Sequence, residues 1–73
     1  MRLIRLKEVL DMTGLSRAYM YKLMAEGKFP KSVSLGFRSV AWVESEVQDW
    51  ILERVAERDE RLGLPMLEQE AVA

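Results

Sequence analysis

The chain has 73 residues, no cysteine, no histidine and a formal net charge of −1. That length gives one small domain with a thin core, and the composition excludes disulfides, cysteine or histidine metal sites and thiol or imidazole catalysis. The charge is divided along the chain: residues 1–43 carry eight basic and three acidic side chains, net +5, whereas residues 44–73 carry three basic and nine acidic, net −6.

The first predicted helix starts near Leu6 or Lys7 and ends at Thr13, with Leu6, Val9, Leu10 and Thr13 along one face. Gly14 is suited to stop it, because glycine takes the positive φ that closes a helix. Ser16 is a good N-cap for a second helix, and Leu15 and Met20 have the spacing of a hydrophobic staple around it. The second helix runs to about Glu26, ends at Gly27 and turns Met20, Leu23 and Met24 inward. Both helices are too short to persist alone in water, so each depends on packing.

Phe29-Pro30 blocks any helical continuation. Lys31 to Leu35 alternates polar and apolar residues, the period of a half-buried strand. Gly36-Phe37 is predicted to form a two-residue turn, with Arg38 to Trp42 as the returning strand. A third helix begins between Val43 and Glu46, where Ser45 and Gln48 have capping-box spacing and a start at Val43 competes. Its apolar stripe is Val43, Val47, Trp50, Ile51 and Val55. Beyond Val55 it is polar all round, so its last turns to about Leu62 are expected to be exposed, with Gly63-Leu64-Pro65 as the stop.

The expected fold is therefore α+β, a small winged helix-turn-helix of three helices with a β-hairpin wing between the second and third. Residues 1–62 form the domain and residues 63–73 a flexible C-terminal tail. A helix-turn-helix presents its second helix to the DNA major groove, its N-terminal residues nearest the base edges. Arg17 and Ala18 are the expected base readers, since arginine pairs bidentately with guanine and an alanine methyl meets a thymine methyl. Ser16 and the N–H groups around it suit a phosphate. Tyr21 and Lys22 are placed to meet backbone or base. Lys31 and Arg38, on the hairpin, are expected to grip phosphate or reach the minor groove.

Simpler readings exist for each feature. A helical face with one arginine and one lysine is, by itself, ordinary solvated surface. Tyr21 alone is as good a packing residue as a DNA contact, and Tyr19 lies to the side, where it can pack on the wing or first helix. Trp42 and Trp50 read as core, and the five methionines as gap-filling core or tail residues. Glu46, Asp49 and Glu53 are explained by helical spacing and solvation. Nothing resembles an active site, a cofactor cradle or a metal centre. No apolar run has the length of a membrane span, and Met1 to Arg5 lacks a signal peptide's apolar core, so a cytoplasmic location is expected.

Several stretches together carry a family resemblance: Arg5-Leu6-Lys7-Glu8-Val9, Thr13-Gly14-Leu15-Ser16-Arg17, Tyr21-Lys22-Leu23, Glu26-Gly27-Lys28-Phe29-Pro30-Lys31, Leu35-Gly36-Phe37-Arg38, then Trp42, Ser45-Glu46-Val47 and Trp50-Ile51. In this order, over roughly residues 3–58, the chain resembles the AlpA family of small phage-derived transcriptional regulators, related to excisionases and to the DNA-binding part of MerR-type regulators. The resemblance implies a bacterial regulator that binds double-stranded DNA near a phage or genomic-island gene and is nucleoid-associated when bound. By position it puts the recognition-helix roles on Ser16, Arg17, Ala18, Tyr21 and Lys22 and the wing role on Arg38. Two residues depart from the family pattern: Tyr19, in place of a small hydroxyl residue, and Ala18, where serine is frequent. RNA polymerase, integrase and a second copy on DNA are the expected partners, with no small-molecule substrate. Two rival functions stand beside this one, of which only the first shares the DNA contacts. One is an excisionase-like recombination directionality factor, and the other a protein-interaction module working through the acidic third helix without DNA.

Overall fold

The computed structural model describes residues 1–63. Their order is β1 (Leu3–Ile4), α1 (Leu6–Thr13), α2 (Arg17–Ala25), β2 (Val33–Gly36), β3 (Ser39–Val43) and α3 (Glu44–Leu62). Three helices and a three-stranded antiparallel sheet ordered β1-β3-β2 make an α+β fold with the layout of a small winged helix-turn-helix. The predicted tail lies outside the described residues beyond Gly63.

The two predicted helices and their joint form as expected. Gly14 closes α1 in the left-handed region at φ 73°, with its N–H on the Leu10 carbonyl at 2.8 Å. Thr13 ties both sides of the turn: its hydroxyl donates to the Val9 carbonyl at 2.9 Å and accepts from the Leu15 N–H at 3.3 Å. Ser16 then caps α2, its Oγ accepting from the Tyr19 N–H at 3.2 Å. At the other end, Gly27 N–H bonds to the Met24 carbonyl and Lys28 N–H to the Leu23 carbonyl, the paired bonds of a Schellman stop.

Three elements differ from the sequence-based expectation. First, Leu3–Ile4 forms a strand, pairing Leu3 with Val43 and Ile4 with Trp42. Arg2 secures this edge: its carbonyl accepts from the Glu44 N–H at 2.8 Å, and its guanidinium pairs with Glu44 and with Glu8. These carboxylates, Glu44 foremost, raise the Arg2 pKa above its usual value.

Second, the hairpin turn is one residue later than predicted. Gly36 is the last residue of β2, and the two turn residues are Phe37 and Arg38, at φ 47° and 64°. Positive φ at both positions marks a type I′ turn, whose twist matches the strands. The register slips between Ser34 and Gly36, leaving Leu35 as the extra residue of a bulge. Third, α3 starts at Glu44, inside the expected Val43–Glu46 interval, but the cap differs: Val43 is an N-cap that makes no side-chain bond, so Ser45 and Gln48 form no capping box. Strand β3 runs straight into the helix, and Glu44 N–H is already satisfied by Arg2. The exposed final turns hold one exception, Asp59, fully buried with its Oδ1 accepting from Arg58 at 2.9 and 3.0 Å.

The core is one cluster: Ile4, Val9, Met20, Leu23, Phe29, Trp42 and Val47. Trp42 is the largest fully buried side chain, and its indole N–H has no partner among the described residues, so its apolar burial outweighs a lost hydrogen bond. Phe29, read from sequence only as part of a helix stop, is a core residue 4% exposed. It meets Trp50 edge-on at 4.9 Å, and the Trp50 N–H donates to the Lys28 carbonyl at 2.8 Å. The segment after α2 is thereby fastened to α3. Because Ile4 is buried in this cluster, Ile4→Ala is expected to cost about 2–5 kcal/mol. A thermal melt followed by circular dichroism checks this; a melting temperature equal to the parent's would show β1 to be dispensable.

Candidate nucleic-acid interface

Amphipathic packing decides what α2 presents outward. Met20 and Leu23 are buried in the core and Met24 packs against it. Arg17, Ala18, Tyr21, Lys22 and Ala25 are consequently exposed, as is the Ser16 cap. Four of the first-turn and mid-helix candidates, Arg17, Ala18, Tyr21 and Lys22, therefore lie on the solvent side of one nine-residue helix. Tyr21 is 40% exposed, so its ring is half-covered while the remainder is accessible. Tyr19 is likewise exposed, beside the groove between the segment after α2 and α3.

The hairpin carries Arg38 at its tip, exposed, next to Phe37. Lys31 is placed differently from the expectation. It precedes β2, and its ammonium donates to the Met24 carbonyl at 2.7 Å, at the C-terminal end of α2. A cation there is favourable with the helix dipole and satisfies a terminal carbonyl. Two of its three donors remain for other partners.

Ion pairing sharpens the charge division. Among the described residues, Arg5, Lys7, Arg17, Lys22 and Arg38 enter no ion pair, and none of their side chains donates a hydrogen bond. On α3 two of the three cations are paired locally, and Arg61, among the described residues, enters no ion pair. Arg54 pairs with Glu57 at 2.7 Å while lying over the Trp50 ring, and Arg58 pairs with Asp59 at 2.9 Å. Residues 1–43 thus keep exposed cations whose counterions must come from elsewhere, and α3 keeps an excess of carboxylates. Unpaired, exposed guanidinium and ammonium groups beside a capped helix N-terminus have the chemistry to bind phosphates.

The α2 face is legible in the sequence because a 3.6-residue stripe defines its own opposite side. Phe37 is a surface residue beyond its expected place as half of a turn. The signal was present: a large apolar residue in a two-residue hairpin turn has no inward side to occupy.

Comparison with known proteins agrees with this geometry. The model of the family described as Prophage CP4-57 regulatory protein (AlpA) matches residues 2–55, from the start of the sheet to the middle of α3. Uncharacterized protein ORF88 of Enterobacteria phage P4 is 47% identical over 57 residues, covering 78% of this chain. The chain spans 65% of that protein's length. The DNA-binding transcriptional activator AlpA of Escherichia coli (strain K12) is 36% identical over 59 residues, 73% of this chain and 84% of that protein. The match begins with the β1 edge and runs through the joint, α2, the hairpin and the tryptophans of β3 and α3, every element on which the α2 face depends: the chain belongs to the AlpA family of prophage regulatory proteins.

Proposed function

We propose that the protein is a sequence-specific double-stranded DNA-binding transcriptional regulator of a phage or genomic-island gene. The observation that carries this reading is the exposed α2 face, on which Arg17 and Lys22 lack counterions, in a family with a relative named as a DNA-binding transcriptional activator. In this reading α2 enters the major groove. Ser16 and the neighbouring N–H groups hold a phosphate, Arg17 and Ala18 read base edges, and Tyr21 and Lys22 contact backbone or base. Arg38 grips the adjacent backbone or minor groove from the wing. Lys31 has a secondary part, because its first duty is to the end of α2.

The interface is small; single modules typically bury about 600–1,000 Å² on DNA. Stable occupancy then calls for adjacent copies or a protein partner such as RNA polymerase or integrase. The acidic α3, which takes no part in this DNA contact, is the surface left for that partner.

Salt titration of duplex binding tests the reading. Affinity should fall with a log–log slope of roughly −0.9 for each phosphate contacted. No duplex binding at low salt would exclude it. Arg17→Ala is expected to lose about 1–3 kcal/mol of specific binding and to relax preference at one base pair. Arg38→Ala should weaken all sequences alike and flatten the salt slope by about 0.9. An unchanged preferred site in Arg17→Ala would remove α2's N-terminal turn from the recognition role.

A further inference from the structure

The hairpin tip sets a bulky apolar side chain where chain geometry favours small ones. A type I′ turn wants Asn, Asp or Gly at both central positions, because both need positive φ. Here they are Phe37 at φ 47° and Arg38 at φ 64°. A large residue in that region is strained, and such strain persists where the displayed side chain is used. Phe37 is also fully exposed, at 104% of the reference area, and packs on no part of the core cluster. Gly36 at φ 91° and the extra residue Leu35 set the bend that carries the tip outward. From the buried Trp42 to Arg38 is four strand residues, so the tip stands about 13 Å out along the hairpin.

We propose that Phe37 is a wedge that enters the DNA minor groove and partly unstacks one base step, with Arg38 beside it against the groove's negative potential. The inference rests on the DNA-binding reading above and adds a deformation to it. Apolar side chains inserted between base steps kink the duplex toward the major groove, and flexible pyrimidine–purine steps open most easily. A minor groove lies half a helical turn, about 17 Å, from the major groove that a recognition helix occupies, so a projecting hairpin is the element suited to reach it. Phe37 would thereby make the wing selective for deformable steps without a hydrogen bond to any base.

The test uses the full chain and a duplex that it selects from a random-sequence pool, labelled at both ends so that energy transfer reports bending. The parent protein should shorten the end-to-end distance. Phe37→Ala should abolish most of the bend and weaken binding roughly tenfold, the scale of one lost aromatic–base stack. Its salt slope should stay at the parent's value, because a phenyl ring releases no counterion. Phe37→Trp should keep the bend. Phe37→Asn should raise the melting temperature by relieving the turn and still lose the bend, which separates display from folding. If Phe37→Ala binds and bends DNA as the parent does while Arg17→Ala loses affinity, the wedge is refuted and the DNA-binding reading stands. A parent complex with an unbent duplex refutes the wedge as well. If the parent binds no duplex at low salt, both readings fall together.

Discussion

Strand β3 is the element on which the rest of this small protein depends. It is the middle strand of the sheet, it touches α1 and α3, and it holds Trp42 in the centre of the core. A domain of this size has no second core to fall back on. The helix-turn-helix, the hairpin and the long helix are thus all referenced to one buried side chain. Trp42 lies in the same apolar cluster as Val9 of α1, Met20 and Leu23 of α2 and Val47 of α3. The relative placement of the α2 face and the hairpin tip follows from that shared packing.

On this frame the polar groups divide into two populations. Some hold the protein together: Thr13 and Ser16 fix the joint, Arg2 clamps β1 to the start of α3, and Lys31 and the Trp50 N–H secure the end of α2. Others have no internal task. Arg17, Lys22 and Arg38 have no ionic partner among the described residues. A net charge of −1 conceals this, because the carboxylates that balance the sum sit mainly in the second half of the chain. The average charge says little about binding; the location of unneutralised cations says much more.

Helix boundaries were legible because their stops are written in single residues. Gly14, Gly27 and Gly63 act through local backbone geometry and Ser16 through its side-chain oxygen, and α1, α2 and α3 start or stop where those residues predict. Features set by tertiary contact were less legible. A two-residue strand such as Leu3–Ile4 has no periodicity to detect and exists only because β3 offers an edge. The turn at Phe37-Arg38 defied the preference for glycine at a central position, since Gly36 was taken up by the end of β2 and its bulge. Lys31 looked like a wing cation because sequence shows proximity along the chain, whereas its partner is a carbonyl seven residues earlier. The α2 face is legible in the sequence as a surface, and the helix-turn-helix layout, the charge division and the family relationship together point to DNA as its ligand.

The central claim is that DNA meets the α2 face and the hairpin tip together, leaving α3 free. Amide chemical-shift mapping of the labelled full chain, titrated with a selected duplex at low salt, tests it most directly. The account predicts the largest perturbations at Ser16 to Lys22 and at Gly36 to Ser39, with the outer residues Leu52, Glu53 and Glu60 of α3 nearly unmoved. Perturbations concentrated on α3, with the α2 face unchanged, would contradict it.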